Sequence, residues 1–234
     1  MAVVHPRPRL NVYFDGFNFY YGCFKSSKRT AEWRQYKWLN VSAFAQLMFP
    51  GFDVREIHYF TAVVNQSILD PTKQDRQQAY LRALRMLQSV TIHEGRYSTW
   101  AKQRLLADPI SRQRGQRAIP ILPEQYVDVI IDEEKGSDVN LASHLIVDAF
   151  MDRYDAAVVI SNDSDLAEPI RLVRSVVGSR IIIMNPHPGK PAYDLRGLVD
   201  PNDYRSLRLG PITASQFPAT LTDAHGTITK PPSW

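Results

Sequence analysis

The sequence predicts an α/β protein, a three-layer α/β/α sandwich built on a mainly parallel sheet. Three observations lead there. LNVYF (10–14), VREIHYFTAVV (54–64), AAVVIS (156–161) and RIIIM (180–184) are β-branched or aromatic runs of strand length. Segments with apolar residues at helical spacing lie between them. The composition, 44% hydrophobic and 22% charged over 234 residues, gives enough interior for a core without disulfide or metal.

Taken in order, strand one is 10–14 and stops at Asp15-Gly16. Asn40 is a natural cap for a helix carrying Val41, Phe44 and Leu47/Met48, which Pro50-Gly51 ends. Strand two follows at 54–64. Pro71 opens a helix over 71–88 with the stripe Ala79, Tyr80, Ala83, Leu84 and Leu87. Residues 90–97 read as a strand, 100–126 as a basic, partly irregular insertion, and VDVII (127–131) as another strand. A helix from about Asp138 to Arg153 then shows Leu141, Leu145 and Ala149/Phe150 on one side. The strand 156–161 leads into a helix over 165–177, with Gly178 placed to end it, and 180–184 is the last of these strands. Past Asn185 prolines accumulate and periodicity fades. The expectation is one domain over 1–186 and a proline-rich C-terminal extension over 187–234 that wraps the domain or is partly mobile, with a short helix near 193–200.

The net charge is +4, and the cations are grouped. KSSKRTAEWRQYKW (25–38) and AKQRLLADPISRQRGQR (101–117) mix Lys and Arg with aromatics in or beside them. Such stretches suit a polyanionic, stackable partner such as RNA, although a solvated face gives the same composition. Lys102, Arg104, Arg112, Arg114 and Arg117 are the candidate contacts. The single cysteine, Cys23, fits a reducing cytoplasm and reads as a buried small hydrophobe rather than a nucleophile. Residues 1–10 have no apolar leader segment and no stretch approaches a membrane span, so a soluble cytoplasmic protein with no membrane partner is expected.

Four acids fall where α/β proteins place ligands, beyond the carboxyl ends of strands. Asp15 follows strand one, Asp163 and Asp165 follow 156–161, and Asp138 opens the helix after EEKGS (133–137). Neighbouring strand ends lie about 4.8 Å apart, so Asp15 and Asp163 can converge. Two ionised carboxylates about 4 Å apart repel by roughly 4 kcal/mol at an effective dielectric of 20, which calls for a proton or a cation. An all-oxygen set selects Mg²⁺ or Mn²⁺ rather than zinc. Singly, each acid also has a purely structural use. Asp165 with Glu168 and Pro169 makes a helix start, Asp163 and Asp15-Gly16 make turns, and Asp138 complements a helix dipole.

FDGFN (14–18), EEKGSDVNLA (133–142) and SNDSDLAEPI (161–170) resemble, in order and separation, the three signature motifs of NYN domains, the PIN-like proteins grouped with LabA. The resemblance covers about residues 8–186. It implies a PIN-like Rossmannoid fold with central strand order 3-2-1-4-5 and a metal-dependent ribonuclease site. Matched position by position, it implies Asp15, Asp138 and Asp163 as metal ligands, with Asp165 as the fourth acid of the site. It implies Asn18 as the amide that orients a water or phosphate, Ser161 as a partner of a phosphate or of Asp15, and Lys135 as a phosphate contact. Relatives carry another Asp six residues after the KGxD acid, where this chain has His144. Six residues is about 600° of helix, so His144 points away from Asp138 as a packed core histidine or an altered ligand.

GxSxG, Walker A and GxGxxG patterns are missing, and His5, His58, His93, His144, His187 and His225 have no metal-binding spacing such as HExxH. The haloacid-dehalogenase pattern needs an aspartate two residues after Asp15, where Phe17 stands. The expected function is metal-dependent hydrolysis of RNA. The alternatives are a non-catalytic RNA-binding module on the same scaffold and an enzyme of small phosphorylated metabolites.

Overall fold

The computed structural model describes residues 6–25, 28–66, 70–108, 120–121, 123–187 and 191–234, with backbone only for 28–31. Arg112, Arg114 and Arg117 lie outside the described residues.

Seven strands form the central sheet: β1 (Arg9–Asp15), β2 (Asp53–Ala62), β3 (Val90–Leu105), β4 (Tyr126–Lys135), β5 (Ala156–Ile160), β6 (Arg180–Asn185) and β7 (Tyr204–Ser206). Their order is β4-β3-β2-β1-β5-β6-β7. Every pairing is parallel except β3 with β4. The helices are α1 (Gly16–Phe24), α2 (Val41–Met48), α3 (Lys73–Arg85), α4 (Ser137–Phe150), α5 (Ala167–Leu172), α6 (Tyr193–Arg196) and α7 (Leu209–Ala214).

Strand alternation divides the interior in two. Leu10, Val12 and Phe14 of β1 join Ile57, Val158 and Ile182 beneath α1, α2 and α3. Tyr13 joins Phe60, Val159 and Ile183 against Leu141 and Leu145 of α4 and Ile170 of α5. Both faces of the parallel strands are therefore covered, as their apolar sequences require. None of the described helices is long and apolar enough to cross a membrane.

Three elements differ from the sequence expectation. Residues 100–105 are not irregular: β3 runs through Leu105 and pairs antiparallel with β4, Arg96 opposite Lys135 and Leu105 opposite Tyr126. Only 90–95 of β3 also pair with β2, so the rest of this hairpin is a two-stranded arm at the sheet edge. VDVII consequently lies on an exposed ribbon, with Ile130 78% accessible. The helix expected at 165–177 comes in three pieces, a 3₁₀ turn at Ser164–Leu166, α5, and a π-helical turn at Val173–Val177. Gly178 ends it with φ 82°, as anticipated.

The third is the C-terminal segment. Residues past 186 do lie against the domain, but as part of it and in regular elements: β7 pairs with β6, and a second sheet of β8 (Thr220–Asp223) and β9 (Gly226–Thr229) follows α7. Leu207, Ile212, Phe217 and Ile228 are buried in the same core as β1. The Trp38 indole donates to the Pro218 carbonyl at 2.8 Å, and Phe217 N–H returns to the Trp38 carbonyl at 2.9 Å. The apolar anchors are spaced too widely, among prolines, to show a period.

Candidate functional site

The carboxyl ends of β1 and β5 meet in a closed hydrogen-bond network. Asp15 caps α1, its Oδ1 accepting Asn18 N–H at 2.9 Å. Its Oδ2 accepts the Ser161 hydroxyl at 2.9 Å. The Ser161 oxygen in turn accepts Asp163 N–H at 3.1 Å, and Asp163 Oδ1 accepts Asp165 N–H at 3.0 Å. The Asn18 side-chain oxygen receives Asn162 N–H at 2.9 Å. Both turns are held by short polar side chains because the ends of the two parallel strands leave backbone N–H groups without ladder partners.

Burial pushes the Asp15 carboxyl up to about 6; the Asn18 and Ser161 hydrogen bonds oppose this, and the negative charges of Asp163 and Glu134 reinforce it. Glu134 was not anticipated. It is at the base of the arm, where its Oε1 accepts Ser137 N–H at 2.9 Å at the start of α4. The EEK of the second motif was the available signal, and its acids read there only as a lead-in to Asp138.

No three of the four predicted acids bring carboxylate oxygens within 4.8 Å of one another. Asp15 and Asp163 are neighbours in the network, whereas Asp138 in the first turn of α4 and Asp165 in the 3₁₀ turn are exposed. Asp163, not Asp165, caps that turn. Lys135 lies on the arm, 4.7 Å from the centre of the Trp100 ring and 3.7 Å from Glu133. Lys102 and Arg104 are exposed farther out on the same arm, opposite Val129 and Val127. Phe17 of α1 stacks between Tyr21 and Tyr97, with ring centres at 6.4 and 6.2 Å.

An all-oxygen set at Asp15 and Asp163 suits a hard divalent ion, and each Asp15 oxygen keeps a lone pair beyond its one hydrogen bond. The sets of three ligand-type side chains whose atoms all lie within 4.8 Å of one another are elsewhere among the described residues, at His58/His93/His144 and Glu56/His58/Asp148. An ion on the aspartates would therefore keep several waters, the ordinary habit of Mg²⁺. The histidines, which have no metal spacing in sequence, thus converge in space. His144 is half-buried, its ring centre 4.1 Å from that of His93.

On the opposite side of the sheet, a cavity beginning at Gly16 is lined by Tyr20, Tyr59, Tyr80 and Trp234 with Lys37, Lys73 and Arg76 at its polar parts. Burial raises the Tyr59 phenol and lowers the Lys37 ammonium. Arg76 is paired with Asp70 at 2.6 Å.

No protein-family model matches the chain. It is 28% identical to the 6-hydroxy-3-succinoylpyridine 3-monooxygenase HspA of Pseudomonas putida (strain DSM 28022 / S16), over 97% of this chain and 75% of that protein. Among solved structures it is similar to a protein of unknown function from Vibrio parahaemolyticus RIMD 2210633, with TM-score 0.51 and 14% identity, over 86% of this chain and 93% of that one. Such a likeness shows the fold alone.

Proposed function

We propose that the chain is a metal-dependent ribonuclease of the PIN-like, NYN type, acting at the edge formed by Asp15 and Asp163. The observation that carries this reading is the Asp15–Ser161–Asp163 network at the carboxyl ends of adjacent parallel strands. The order β3-β2-β1-β5-β6 within the sheet is the 3-2-1-4-5 order of that fold. Mg²⁺ or Mn²⁺ bound at Asp15 and Asp163 would supply positive charge to a phosphoryl oxygen and acidify a water. Ser161 and the Asn18 N–H hold the Asp15 carboxylate in place, and Asn18 fixes the turn that presents Asp163. Lys102 and Arg104 on the arm, with the Phe17/Tyr97 stack beside its base, offer charge and ring faces to an RNA strand. The single, buried Cys23 suits a reducing cytoplasm.

The test is incubation of end-labelled single-stranded and hairpin RNAs with Mn²⁺, Mg²⁺ or EDTA, beside Asp15→Asn and Asp163→Asn. Metal-dependent cuts lost in both variants are expected. Cleavage retained in both removes the assignment, and a salt-sensitive gel shift without cuts replaces it by an RNA-binding module.

The aromatic, cation-lined cavity and the relative's name favour one second reading, an enzyme of a small aromatic acid. Trp234 lines that cavity, so its fluorescence reports occupancy. Saturable quenching by 6-hydroxy-3-succinoylpyridine, lost in Lys73→Ala, supports this reading; an unresponsive signal discards it.

A further inference from the structure

We infer that His58, His93 and His144 form a binding site for a borderline divalent transition metal, of the zinc class, separate from the acidic edge. The three residues come from β2, β3 and α4 and face one another across the sheet–helix boundary. One ring nitrogen from each lies within 4.8 Å of the other two. His58 Nδ1 and His93 Nε2 are 3.0 Å apart and share a hydrogen bond. Two nitrogens on one tetrahedral zinc, with Zn–N near 2.05 Å, sit about 3.3 Å apart, so little movement is needed.

The second observation is the far side of the His58 ring. Its Nε2 is buried and makes no hydrogen bond of good geometry, yet faces Asp148 Oδ2 at 3.4 Å and Glu56 Oε2 at 3.3 Å. Asp148 is fully buried and is itself fixed by the Tyr13 hydroxyl at 2.7 Å and by Arg153 at 2.9 Å. A carboxylate behind an imidazole selects the tautomer with hydrogen on that side, which turns the bare nitrogen toward the metal. Here that bare nitrogen is His58 Nδ1, the atom aimed at His93.

Stacking alone accounts for part of the arrangement, since Phe60 lies 4.6 Å from the His93 ring centre. Stacking and the His58–His93 hydrogen bond together do not account for a third imidazole nitrogen within reach of both, with a buried carboxylate behind the first. Three nitrogens select Zn²⁺ or its neighbours Fe²⁺, Co²⁺, Ni²⁺ and Cu²⁺ over Mg²⁺. His93 and His144 are half-buried rather than sealed, which leaves a path to a fourth, exchangeable position. His93 pairs with Phe60, which pairs with Asp15, so the two sites occupy one level of the sheet two strands apart, roughly 10 Å.

Full-length protein, stripped with chelator, is titrated with Co²⁺ and followed by its visible absorption, then back-titrated with Zn²⁺. One equivalent with tetrahedral or five-coordinate bands is expected, and His93→Ala and His144→Gln each weaken binding at least tenfold. Asp15→Asn and Asp163→Asn leave it unchanged, which separates this site from the ribonuclease reading. His144→Gln, on a half-exposed helix face, tests the site even if His93→Ala fails to fold. No spectral change, equal binding by the histidine variants, or loss of binding only in the aspartate variants would overturn the inference.

Discussion

The Ser161 hydroxyl donates to Asp15 Oδ2 at 2.9 Å and so joins the end of β5 to the end of β1. It also accepts Asp163 N–H, which makes one hydroxyl the hinge of both acids. Ser161→Ala should therefore do more than lose one contact. Two part-buried groups lose a partner, at about 1–3 kcal/mol in total, read from chemical denaturation in EDTA. A change below about 0.5 kcal/mol would mean that water replaces the hydroxyl freely.

Asp15 carries its own pH signature. The carboxyl sits at about 6 in the folded chain against 3.8 ordinarily, so the folded state holds more protons than the unfolded between those values. This group's contribution is most favourable below 3.8 and is lost as pH rises through 6. In Asp15→Asn that loss is absent, since Ser161 can turn its hydroxyl and accept from the new amide. Apo stability at pH 7 should rise by roughly 1–3 kcal/mol, with a flatter profile from pH 4 to 7, measured by thermal melts in EDTA. An unchanged slope would place the titration elsewhere.

Tyr13→Phe keeps the aromatic packing and removes one of the hydrogen bonds that fix Asp148. A loss of about 1.5–3 kcal/mol is expected, the range for a bond to a charged partner. Loosening Asp148 should also weaken Co²⁺ binding, with no effect on Asp163-dependent RNA cleavage. Urea denaturation and cobalt titration of one preparation check both halves.

Gly16 and Gly22 are where α1 touches its neighbours most closely. A Cβ on Gly16 would stand 2.7 Å from the Phe60 carbonyl, and one on Gly22 2.7 Å from the Pro186 carbonyl. Neither oxygen can move without moving backbone, so Gly16→Ala and Gly22→Ala should each cost about 2–4 kcal/mol in thermal or urea melts. At Ile130 of the arm the reverse holds. Ile130→Lys should change stability by less than about 0.5 kcal/mol, because the side chain already faces water.

How far the sequence could be read follows from these residues. Continuous apolar runs marked β1, β5 and β6, and the Leu141/Leu145 stripe marked α4, because burial on two faces or one leaves a local period. The positions of Asp15 and Asp163 at strand ends were legible because each follows an apolar run, and β1 and β5 are neighbours. Asp138 and Asp165 followed the same motif logic, yet each begins a helical turn whose side chain faces solvent. Glu134 and the meeting of His58 with His93 were not legible, whereas His144 already stood out as a core histidine or an altered ligand. His58 and His93 are 35 residues apart, and only the pairing of β2 with β3 puts them side by side. The arm escaped notice because its alternating Val and Ile residues copy a half-buried strand while burying little.

The arm has a mechanical consequence. Among the described residues, 96–105 and 126–135 are strand-paired only with each other, Tyr97 and Thr99 near the base touch Phe17 and Asn65, and the root is clamped at Gly95, where the Lys135 carbonyl and Glu134 press against the position a Cβ would take. A load applied at Lys102 or Arg104 is therefore carried inward to this root, which acts as the fulcrum. Glu134 is at that fulcrum and His93 is two residues inside it. Strain carried down the arm thus arrives beside the acidic edge and the imidazoles together.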